Sequence, residues 1–394
     1  MDIMEKALKA HEEWHGKLDI RSRASIKDKE SLSIAYTPGV AQPCLEIQKN
    51  PALSYTLTGR QNLVAVITDG TAVLGLGDIG PLAAMPVMEG KCALFIEFGG
   101  VNAIPLCVNT KDPDEFCETV ARIAGSFGGI NLEDISAPRC FEIEKKLKTM
   151  VDIPVFHDDQ HGTAVVASAA IINAAKLAGK QLSDLKVVIN GAGAAGVAIA
   201  NMLFTIGVQD IVMLNSKGII CEGDKLSSEA LTELSKRTNR SHIRGGLADA
   251  MKGADVFIGV SKPNLVTQDM VRSMNDKPFI FAMANPTPEI MPDAAKEAGA
   301  FVVGTGRSDF PNQINNVLAF PGIFKGALAV RASDITEGMK HAAALALANA
   351  VKPEELCPDC VIPNPFDPSV AEAVANAVMQ AAIKDGVARI APEA

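Results

Sequence analysis

The stretch Lys186-Val-Val-Ile-Asn-Gly-Ala-Gly-Ala-Ala-Gly196 places three glycines at G-x-G-x-x-G spacing directly after an apolar, β-branched run. A helical pattern follows over residues 194–206, and a second apolar run ends at Asn215. In this context the first glycine permits a tight turn, the second lets a pyrophosphate approach the backbone, and the third allows close packing of helix on strand. The stretch therefore predicts a dinucleotide-binding β-α-β unit with the phosphates at the helix N-terminus.

Five apolar runs in the second half of the chain alternate with helical patterns. They lie at residues 186–189, 211–214, 255–260, 279–283 and 301–303. This alternation predicts a doubly wound, Rossmann-type parallel sheet in an α/β protein. The tail is predicted to be helical over residues 335–351, and again from an N-cap at Asp367, with Pro368 in the first turn, to Gly386.

The first 160 residues mix short helices with apolar runs at 63–68 and 93–96, which predicts a smaller N-terminal α/β domain. An Ala-rich helix over residues 160–177, stopped by Gly179, is expected to connect the two domains, with a hinge near its start. We expect one domain at residues 1–160 and a nucleotide-binding domain with its helical tail at 161–394. Residues 1–14 are predicted to form an amphipathic surface helix rather than an export signal.

The composition limits the partners and the compartment. The 394 residues carry a net charge of −9 without a basic stretch interleaved with aromatics, which argues against nucleic acid. Eight scattered cysteines fit reduced thiols in the cytoplasm, and Cys357-Pro-Asp-Cys360 is interpreted as a surface turn in preference to a metal or redox pair. The uncharged residues 187–208 contain the glycine motif, so we interpret them as a buried β-α unit and expect no membrane span.

A second segment with the same glycine spacing, Gly75-Leu-Gly-Asp-Ile-Gly80, precedes residues that include Pro86 and Gly90. These two residues are expected to break the helix that would present its N-terminus to phosphate, and an apolar run ending at Glu97 is expected to be a strand. We therefore predict that these glycines form a close-packed turn near the substrate and that they do not bind the nucleotide.

Two acid pairs, Glu133-Asp134 and Asp158-Asp159, each follow an apolar run. Clustered carboxylates repel one another unless a hard cation that prefers oxygen ligands lies between them. A metal site followed by a dinucleotide site suggests metal-assisted redox chemistry. His157 and His161 flank the second pair and could form a nitrogen-rich zinc site, but we favour supporting or helix-start roles for both.

Over nearly its whole length the chain resembles malic enzymes of the compact bacterial type. The tracts that carry the resemblance are Tyr36-Thr-Pro-Gly-Val40, Gly75 to Gly80, Glu89-Gly-Lys91, Asn131-Leu-Glu-Asp134, His157-Asp-Asp-Gln-His-Gly-Thr163, Gly191 to Gly196, Asn285-Pro286, Asn315-Asn316 and Phe320-Pro-Gly322. The resemblance implies oxidative decarboxylation of L-malate to pyruvate and CO₂ with reduction of NADP or NAD. It also implies a homodimer built on the N-terminal domain, in which the segment around Tyr36 could reach the partner's cleft.

The same resemblance implies roles for individual residues. Glu133, Asp134 and Asp159 would bind Mg²⁺ or Mn²⁺, a choice that suits all-oxygen ligation. Lys91 would accept the malate hydroxyl proton, for which burial and the cation must lower its pKa, and Asp158 would position it. Tyr36 would be the acid that protonates the enolpyruvate carbon.

The remaining expected contacts concern the nucleotide and malate. Asn285 and Asn315 are expected to contact the ribose-nicotinamide and the malate carboxylate. The predicted nucleotide-binding residues are Gly191, Ala192, Gly193, Ala194, Ala195, Gly196, Asn215, Ser216, Lys217 and Asn285. The second strand ends in Asn215-Ser216-Lys217 without the usual acid, which favours NADP over NAD.

Two features leave alternatives open. Thr71 and Ala72 stand where animal and plant malic enzymes have an arginine that holds malate, so another group must bind that carboxylate. The alternatives to a malic enzyme are another metal-dependent 2-hydroxy-acid dehydrogenase, an oxaloacetate decarboxylase and, less favoured, a nucleotide-sensing module without turnover.

Overall fold

The computed structural model describes residues 3–73 and 75–391 and contains two mainly parallel sheets. The first sheet has the order β2-β1-β3-β4, and its strands are β1 (Leu63–Thr68), β2 (Asn102–Cys107), β3 (Gly129–Leu132) and β4 (Val155–His157). The second has the order β10-β9-β8-β5-β6-β7, and its strands are β5 (Lys186–Asn190), β6 (Asp210–Asn215), β7 (Gly218–Ile219), β8 (Val256–Gly259), β9 (Phe279–Ala282) and β10 (Val302–Thr305). Only β7 is antiparallel to its neighbour among these strands.

Sixteen α-helices of the described chain surround the sheets. They are α1 (Ile3–Trp14), α2 (Lys29–Ala35), α3 (Ala41–Lys49), α4 (Ser54–Leu57), α5 (Pro81–Gly99), α6 (Pro113–Ile123), α7 (Arg139–Met150), α8 (Asp158–Ala178), α9 (Ala194–Thr205), α10 (Glu229–Ser235), α11 (Leu247–Met251), α12 (Gln268–Arg272), α13 (Pro292–Glu297), α14 (Phe320–Ala329), α15 (Glu337–Ala350) and α16 (Pro368–Lys384). Short 3₁₀ helices lie at Pro51–Leu53, Gly59–Asn62, Ala124–Ser126, Leu182–Asp184 and Asn316–Leu318.

The second sheet confirms the predicted doubly wound fold. All five predicted runs form parallel strands, because each apolar run is short, β-branched or aromatic, and buried on both faces of the sheet. The strand order reverses at β5, which pairs with β6 on one side and β8 on the other. Ligands of doubly wound sheets bind at the carboxyl ends of the strands beside such a reversal.

Helix α8 joins the two sheets and confirms the predicted Ala-rich helix. It begins directly after β4 and ends at Gly179, which adopts a left-handed conformation with φ of 73°. Small side chains let α9 and α15 pack closely on it, and most of its residues are buried. Helix α14, which we did not predict, packs against α5, a helix that lies on the first sheet. The ring centroids of Phe320 in α14 and Phe95 in α5 are 4.6 Å apart. The C-terminal helices therefore contact both halves of the chain, and the proposed boundary at residue 160 stays a prediction.

The region after Gly80 corrects two of our predictions. Pro86 and Gly90 do not break the helix, and residues 93–96 are not a strand, because α5 runs without interruption through all of them. Burial explains this result: Met88, Lys91 and Phe95 lie on its inner face, so tertiary packing overrides the unfavourable proline and glycine. The Pro86 carbonyl accepts a hydrogen bond of 2.8 Å from Lys17 Nζ.

The N-terminal helices α1 to α4 lie on the surface. Helix α1 confirms the predicted surface helix and has no buried residue, although residues 1 and 2 of that prediction lie outside the described part of the chain. Large apolar side chains in this region are exposed, among them Ile20, Ile34 and Leu45. Over residues 3–73 and 75–391, none of the helices has the length and apolarity needed to cross a bilayer.

Candidate active site

A cleft of about 610 Å³ lies between the carboxyl ends of the two sheets. The predicted metal ligands, Lys91, Asn285 and Asn315 all line it, together with Gly75, Thr163, Ser261 and Asn316. The structure thus brings together residues that are separated by more than two hundred positions in the sequence. A volume of this size suits a small organic ligand and part of a cofactor.

Three carboxylates form a compact set of oxygen donors in this cleft. One ligand atom each from Glu133, Asp134 and Asp159 lies within 4.8 Å of the other two. Glu133 and Asp134 follow β3, and Asp159 lies in the first turn of α8 directly after β4. Because β3 and β4 are parallel neighbours, their carboxyl ends meet at one edge of the sheet. The set fits a hard divalent cation in spacing and in chemistry.

Backbone hydrogen bonds hold Asp134 in an uncommon conformation. Its φ is 54°, its amide donates to Asp159 Oδ2 at 2.7 Å, and its carbonyl accepts from Ala72 N at 2.9 Å. The loop that carries Ala72 is fixed in turn by Arg139, which contacts Asp69 Oδ2 at 2.7 Å and Thr71 Oγ1 at 2.8 Å. Strained backbone at a ligand site is a recurrent sign of function. Thr71 therefore supports the backbone that carries Asp134, because its hydroxyl also accepts a hydrogen bond of 3.0 Å from Ser136 N.

Lys91 lies on the buried face of α5 with its ammonium among the acids. Its Nζ is 2.7 Å from Asp158 Oδ2 and 2.9 Å from Glu133 Oε1, and it lies 4.4 Å from the ring centroid of Phe320. Asn131 Nδ2 donates to the other Glu133 oxygen at 2.9 Å. The Lys91 side chain is 7% exposed, so these contacts fix its ammonium next to the carboxylate set.

The electrostatics of the cluster reflect an excess of buried negative charge. Burial raises the pKa of Glu133, Asp158 and Asp159, although Lys91 opposes each of these shifts. Burial lowers the pKa of Lys91, but Asp158, Glu133 and Asp159 together raise it above its ordinary value. The sequence led us to expect a lowered pKa for Lys91. The protein residues alone do not produce it, because the carboxylates raise this pKa by more than burial lowers it.

Asp158 is completely buried and lies against the backbone of its own helix. A Cβ built at Gly162, one turn later, would lie 1.9 Å from Asp158 Oδ1. Only glycine at position 162 leaves the space that this carboxylate occupies beside Lys91. Our sequence analysis missed Gly162, although it lies in the His157-to-Thr163 tract and one helical turn from an acid.

The predicted phosphate-binding turn has the expected geometry. A Cβ at Gly196 would lie 1.8 Å from the Gly191 carbonyl oxygen, so the third glycine permits the helix–strand approach. Gly191 has a φ of 129° and lies against Val260. A Cβ at Gly193 would meet nothing within 4 Å, which leaves room for a pyrophosphate at the start of α9.

A second cavity of about 630 Å³ lies beside this turn and adjoins the cleft at Ser261. Its lining includes Gly191, Ala192 and the predicted Asn215, Ser216 and Lys217. Lys262, which sequence reasoning missed, also lines it, and no carboxylate does among the described lining residues. Ala194 begins α9 and Ala195 lines the cleft itself.

Glu289 is a further buried group that our sequence analysis missed. Its carboxylate accepts hydrogen bonds from Ser261 N at 3.0 Å and Ala284 N at 3.1 Å, at the ends of β8 and β9. A Cβ at Gly259 would lie 2.3 Å from this carboxyl group, so that glycine makes room for it. Glu289 thus fixes the two strand ends that present Ser261 and Asn285 to the cleft.

Three other predicted residues, Gly75, Asn315 and Tyr36, lie in different surroundings. Gly75 packs against the Asn285 carbonyl, where a Cβ would lie 2.8 Å away, as expected for a close-packed turn at the cleft. Asn315 Oδ1 accepts from Val317 N at 2.9 Å. Tyr36 directly follows α2 as its C-cap residue, is 66% exposed and is not among the cleft-lining residues. The structure therefore does not bring Tyr36 to Lys91 within one chain.

The two histidines beside the acid pair lie outside the metal-ligand set. Burial lowers the pKa of His157 to about 4, so its ring is neutral at pH 7. His161 Nε2 contacts the Glu144 carboxylate at 2.9 Å, and its Nδ1 lies 3.2 Å from Lys340 Nζ. The carboxylates alone form the set identified in the described chain.

Comparison with known proteins identifies the family. The family model described as "Malic enzyme, N-terminal domain" matches residues 15–148, and "Malic enzyme, NAD binding domain" matches residues 160–383. The chain belongs to the malic enzyme family. A protein of Bacillus subtilis named "Bifunctional malic/malolactic enzyme" is 56% identical over 99% of this chain and 95% of its own length. The "NAD-dependent malic enzyme" of Geobacillus stearothermophilus is 53% identical over 95% of this chain and 78% of its own.

A solved structure agrees with this assignment. The malic enzyme from Pyrococcus horikoshii is 45% identical, superposes with a TM-score of 0.94, and covers 100% of this chain and 93% of its own. Other matching relatives are named NADP-dependent malic enzymes. This malic enzyme is thus an NAD(P)-dependent oxidoreductase, and oxidative decarboxylation of malate is the function of its family.

Proposed function

We propose that this malic enzyme converts L-malate to pyruvate and CO₂ with a divalent cation held by Glu133, Asp134 and Asp159. The observation that carries this proposal is the position of that oxygen-donor set, next to a buried lysine in a cleft that adjoins the nucleotide cavity. Mg²⁺ or Mn²⁺ bound there would polarise the hydroxyl and keto oxygens of the substrate and stabilise the charge that develops as CO₂ leaves.

The protein residues would orient malate and move its protons. Once a divalent cation offsets the charge of the carboxylates, which by themselves raise the pKa of Lys91, this residue would take the hydroxyl proton while hydride passes from C2 to the nicotinamide. Asp158 would keep the amine in position. Among the described residues that line the cleft, Lys91 is the only cation. The malate carboxylates would therefore bind through the divalent metal ion and the side-chain amides of Asn285 and Asn315.

Substitution of Lys91 by alanine tests the proposal. We expect malate oxidation to stop while nucleotide still binds, because Lys91 lines the cleft and the glycine turn is intact. Reduced nicotinamide absorbance is measured with malate and Mn²⁺, and Lys146→Ala, at an exposed ion pair, is the control variant. Normal turnover of the Lys91 variant would remove it from the mechanism. Analysis for pyruvate and for lactate shows whether the second activity named for the Bacillus subtilis relative extends to this chain.

We further propose a preference for NADP over NAD. Lys217 and Lys262 both line the nucleotide cavity, and no acid among its described lining residues would repel a 2′-phosphate. The Lys217→Ala variant should lose affinity for NADP and keep its affinity for NAD. Lys262→Ala tests the second lysine in the same way, and an unchanged NADP/NAD ratio in both variants would refute the preference.

We also propose that the enzyme is a homodimer in which Tyr36 of one chain enters the partner's cleft as the acid for the enolpyruvate carbon. Tyr36 is exposed and outside its own cleft, and apolar side chains near it in the sequence, including Ile34 and Leu45, are also exposed. Mixing inactive Tyr36→Phe and Lys91→Ala chains should restore activity if the two residues meet between chains. Unmixed dimers of each variant are the controls, and no recovery after exchange of subunits would contradict the sharing.

A further inference from the structure

Cys357 and Cys360 face each other across a two-residue turn. Cys360 N donates to the Cys357 carbonyl at 2.9 Å, and Cys357 N donates to the Cys360 carbonyl at 3.4 Å, so they form an antiparallel bridge. Residues paired in this way have Cα atoms about 5.5 Å apart and project their side chains to the same face. A disulfide needs a Cα separation of about 4.4–6.8 Å, most often near 5.5–6 Å.

The turn is held in this geometry by a buried amide. Asn312 Nδ2 donates to the Pro358 carbonyl at 2.8 Å, and Asn312 Oδ1 accepts from Val361 N at 2.8 Å. The same Nδ2 donates to the Val303 carbonyl at the start of β10. The backbone on both sides of Cys360 is therefore fixed to the sheet, which holds the two cysteines in their paired backbone positions.

The two thiols differ in access. Cys357 is exposed, whereas Cys360 is half-buried and lines a cavity of about 470 Å³ beside Phe98 and Phe366. Burial raises the pKa of the Cys360 thiol. These differences make Cys357 the first thiol to react and Cys360 the resolving thiol.

A metal does not explain the pair. Zinc requires four ligands, and the acids near the turn are already paired, Asp359 with Lys296 at 2.7 Å and Glu355 with Lys352 at 3.4 Å. Over residues 3–73 and 75–391 the metal-ligand set found is the carboxylate set of the active site, which contains no cysteine.

We propose that Cys357 and Cys360 form a dithiol–disulfide site that is oxidised by small-molecule disulfides of the glutathione type. The Cys357 thiolate attacks one sulfur of the small disulfide, a mixed disulfide forms, and one thiol leaves. Cys360 then attacks the Cys357 sulfur, the protein disulfide forms, and the second thiol leaves. The two protons of the cysteines end on the two released thiols, so the protein loses two electrons and the small disulfide gains them.

The test uses the full, reduced enzyme incubated with oxidised glutathione. Free thiols are then alkylated, and the proteolytic peptide that carries both cysteines is weighed without reduction. We expect this peptide to lose two hydrogen atoms, to carry neither glutathione nor alkyl group, and to regain both thiols with dithiothreitol. The Cys360→Ser variant should instead retain one glutathione on Cys357, because its resolving thiol is missing.

Two results would overturn the proposal. One is a wild-type peptide that keeps glutathione on Cys357 while Cys360 is alkylated, and the other is a peptide in which both thiols remain free. Malate turnover of the reduced Cys360→Ser and Cys357→Ser variants should equal that of the wild type, because neither residue lines the active-site cleft. Equal turnover shows that the variants are folded, so glutathione retained by the Cys360→Ser variant cannot be assigned to unfolding.

Discussion

Replacement of Gly162 by alanine tests whether the position of the Asp158 carboxylate controls turnover. The new Cβ would lie 1.9 Å from Asp158 Oδ1 and 3.0 Å from the Asn316 Cβ. Because non-bonded carbon and oxygen atoms do not approach this closely, the carboxylate must move by at least about 1 Å. The 2.7 Å hydrogen bond between Asp158 Oδ2 and Lys91 Nζ would then exceed hydrogen-bond length.

Two independent magnitudes give the size of the effect. Loss of a hydrogen bond to a charged group removes about 1.5–3 kcal/mol, and a displacement of about 1 Å near the reacting atoms costs about 100-fold in rate. We therefore expect kcat of the Gly162→Ala variant to fall by about 10- to 100-fold. The substitution itself favours the helix by about 0.5–1 kcal/mol, which offsets part of the strain, so helix α8 should persist.

The assay is the steady-state rate of nicotinamide reduction at saturating malate, with the nucleotide dissociation constant measured separately. Nucleotide binding should be unchanged, because the glycine turn is not altered. Gly125→Ala is the matched control, since it lies in a 3₁₀ helix where a Cβ meets nothing within 4 Å. A Gly162→Ala enzyme whose kcat stays within about threefold of the wild type would refute the role assigned to this carboxylate.

Three further predictions follow from buried groups. Glu289→Ala leaves the Ser261 and Ala284 amides unpaired, so the free energy of unfolding in urea should fall by about 2–5 kcal/mol and KM for the nucleotide should rise; an unchanged KM would contradict the positioning role. Burial tends to raise the pKa of Glu144, but the contact with His161 helps to lower it to about 2. Glu144 therefore stabilises the fold above its ordinary pKa of about 4.5, and this contribution is lost as the pH falls toward 2. Glu144→Gln should therefore be less stable by on the order of 3 kcal/mol at pH 7, with a smaller difference below pH 4.5 in calorimetry. Mn²⁺ at about 100 times its dissociation constant should stabilise the enzyme by about 2.7 kcal/mol, and an equal shift in an Asp159→Asn variant would argue against the metal site.

The nucleotide sheet could be predicted from the sequence because its signals are local. Each strand is a short apolar run, and the glycine motif joins the first of them to a helix of regular period. The prediction for the region after Gly80 was wrong because the contacts that decide its structure are not local. Helix α5 contains Pro86 and Gly90, which are locally unfavourable, and only its packing through Met88 and Phe95 makes it a helix. Such packing depends on residues distant in the sequence.

The clustering of the three carboxylates was also predictable in part, because Glu133, Asp134 and Asp159 stand at the ends of apolar runs that become parallel neighbours. The residues that position these acids were not. Gly162 leaves the space that the Asp158 carboxylate occupies, and Glu289 accepts hydrogen bonds from two backbone amides. Neither residue belongs to a distinct pattern in the sequence. The location of Tyr36 relative to Lys91 is a property of the proposed assembly, so a single chain cannot predict it.

The charge balance of the cleft explains why its separate parts depend on one another. Four carboxylates lie close together here, Glu133, Asp134, Asp158 and Asp159, and the ammonium of Lys91 contacts Glu133 and Asp158. An uncompensated buried charge costs several kcal/mol, so this arrangement is unfavourable for the protein residues alone. A divalent cation would remove most of the excess and would also attract the malate dianion, which otherwise meets a negative cleft. Substrate binding and metal binding should therefore be mutually reinforcing, and loss of the Lys91 charge should weaken malate binding but strengthen cation binding.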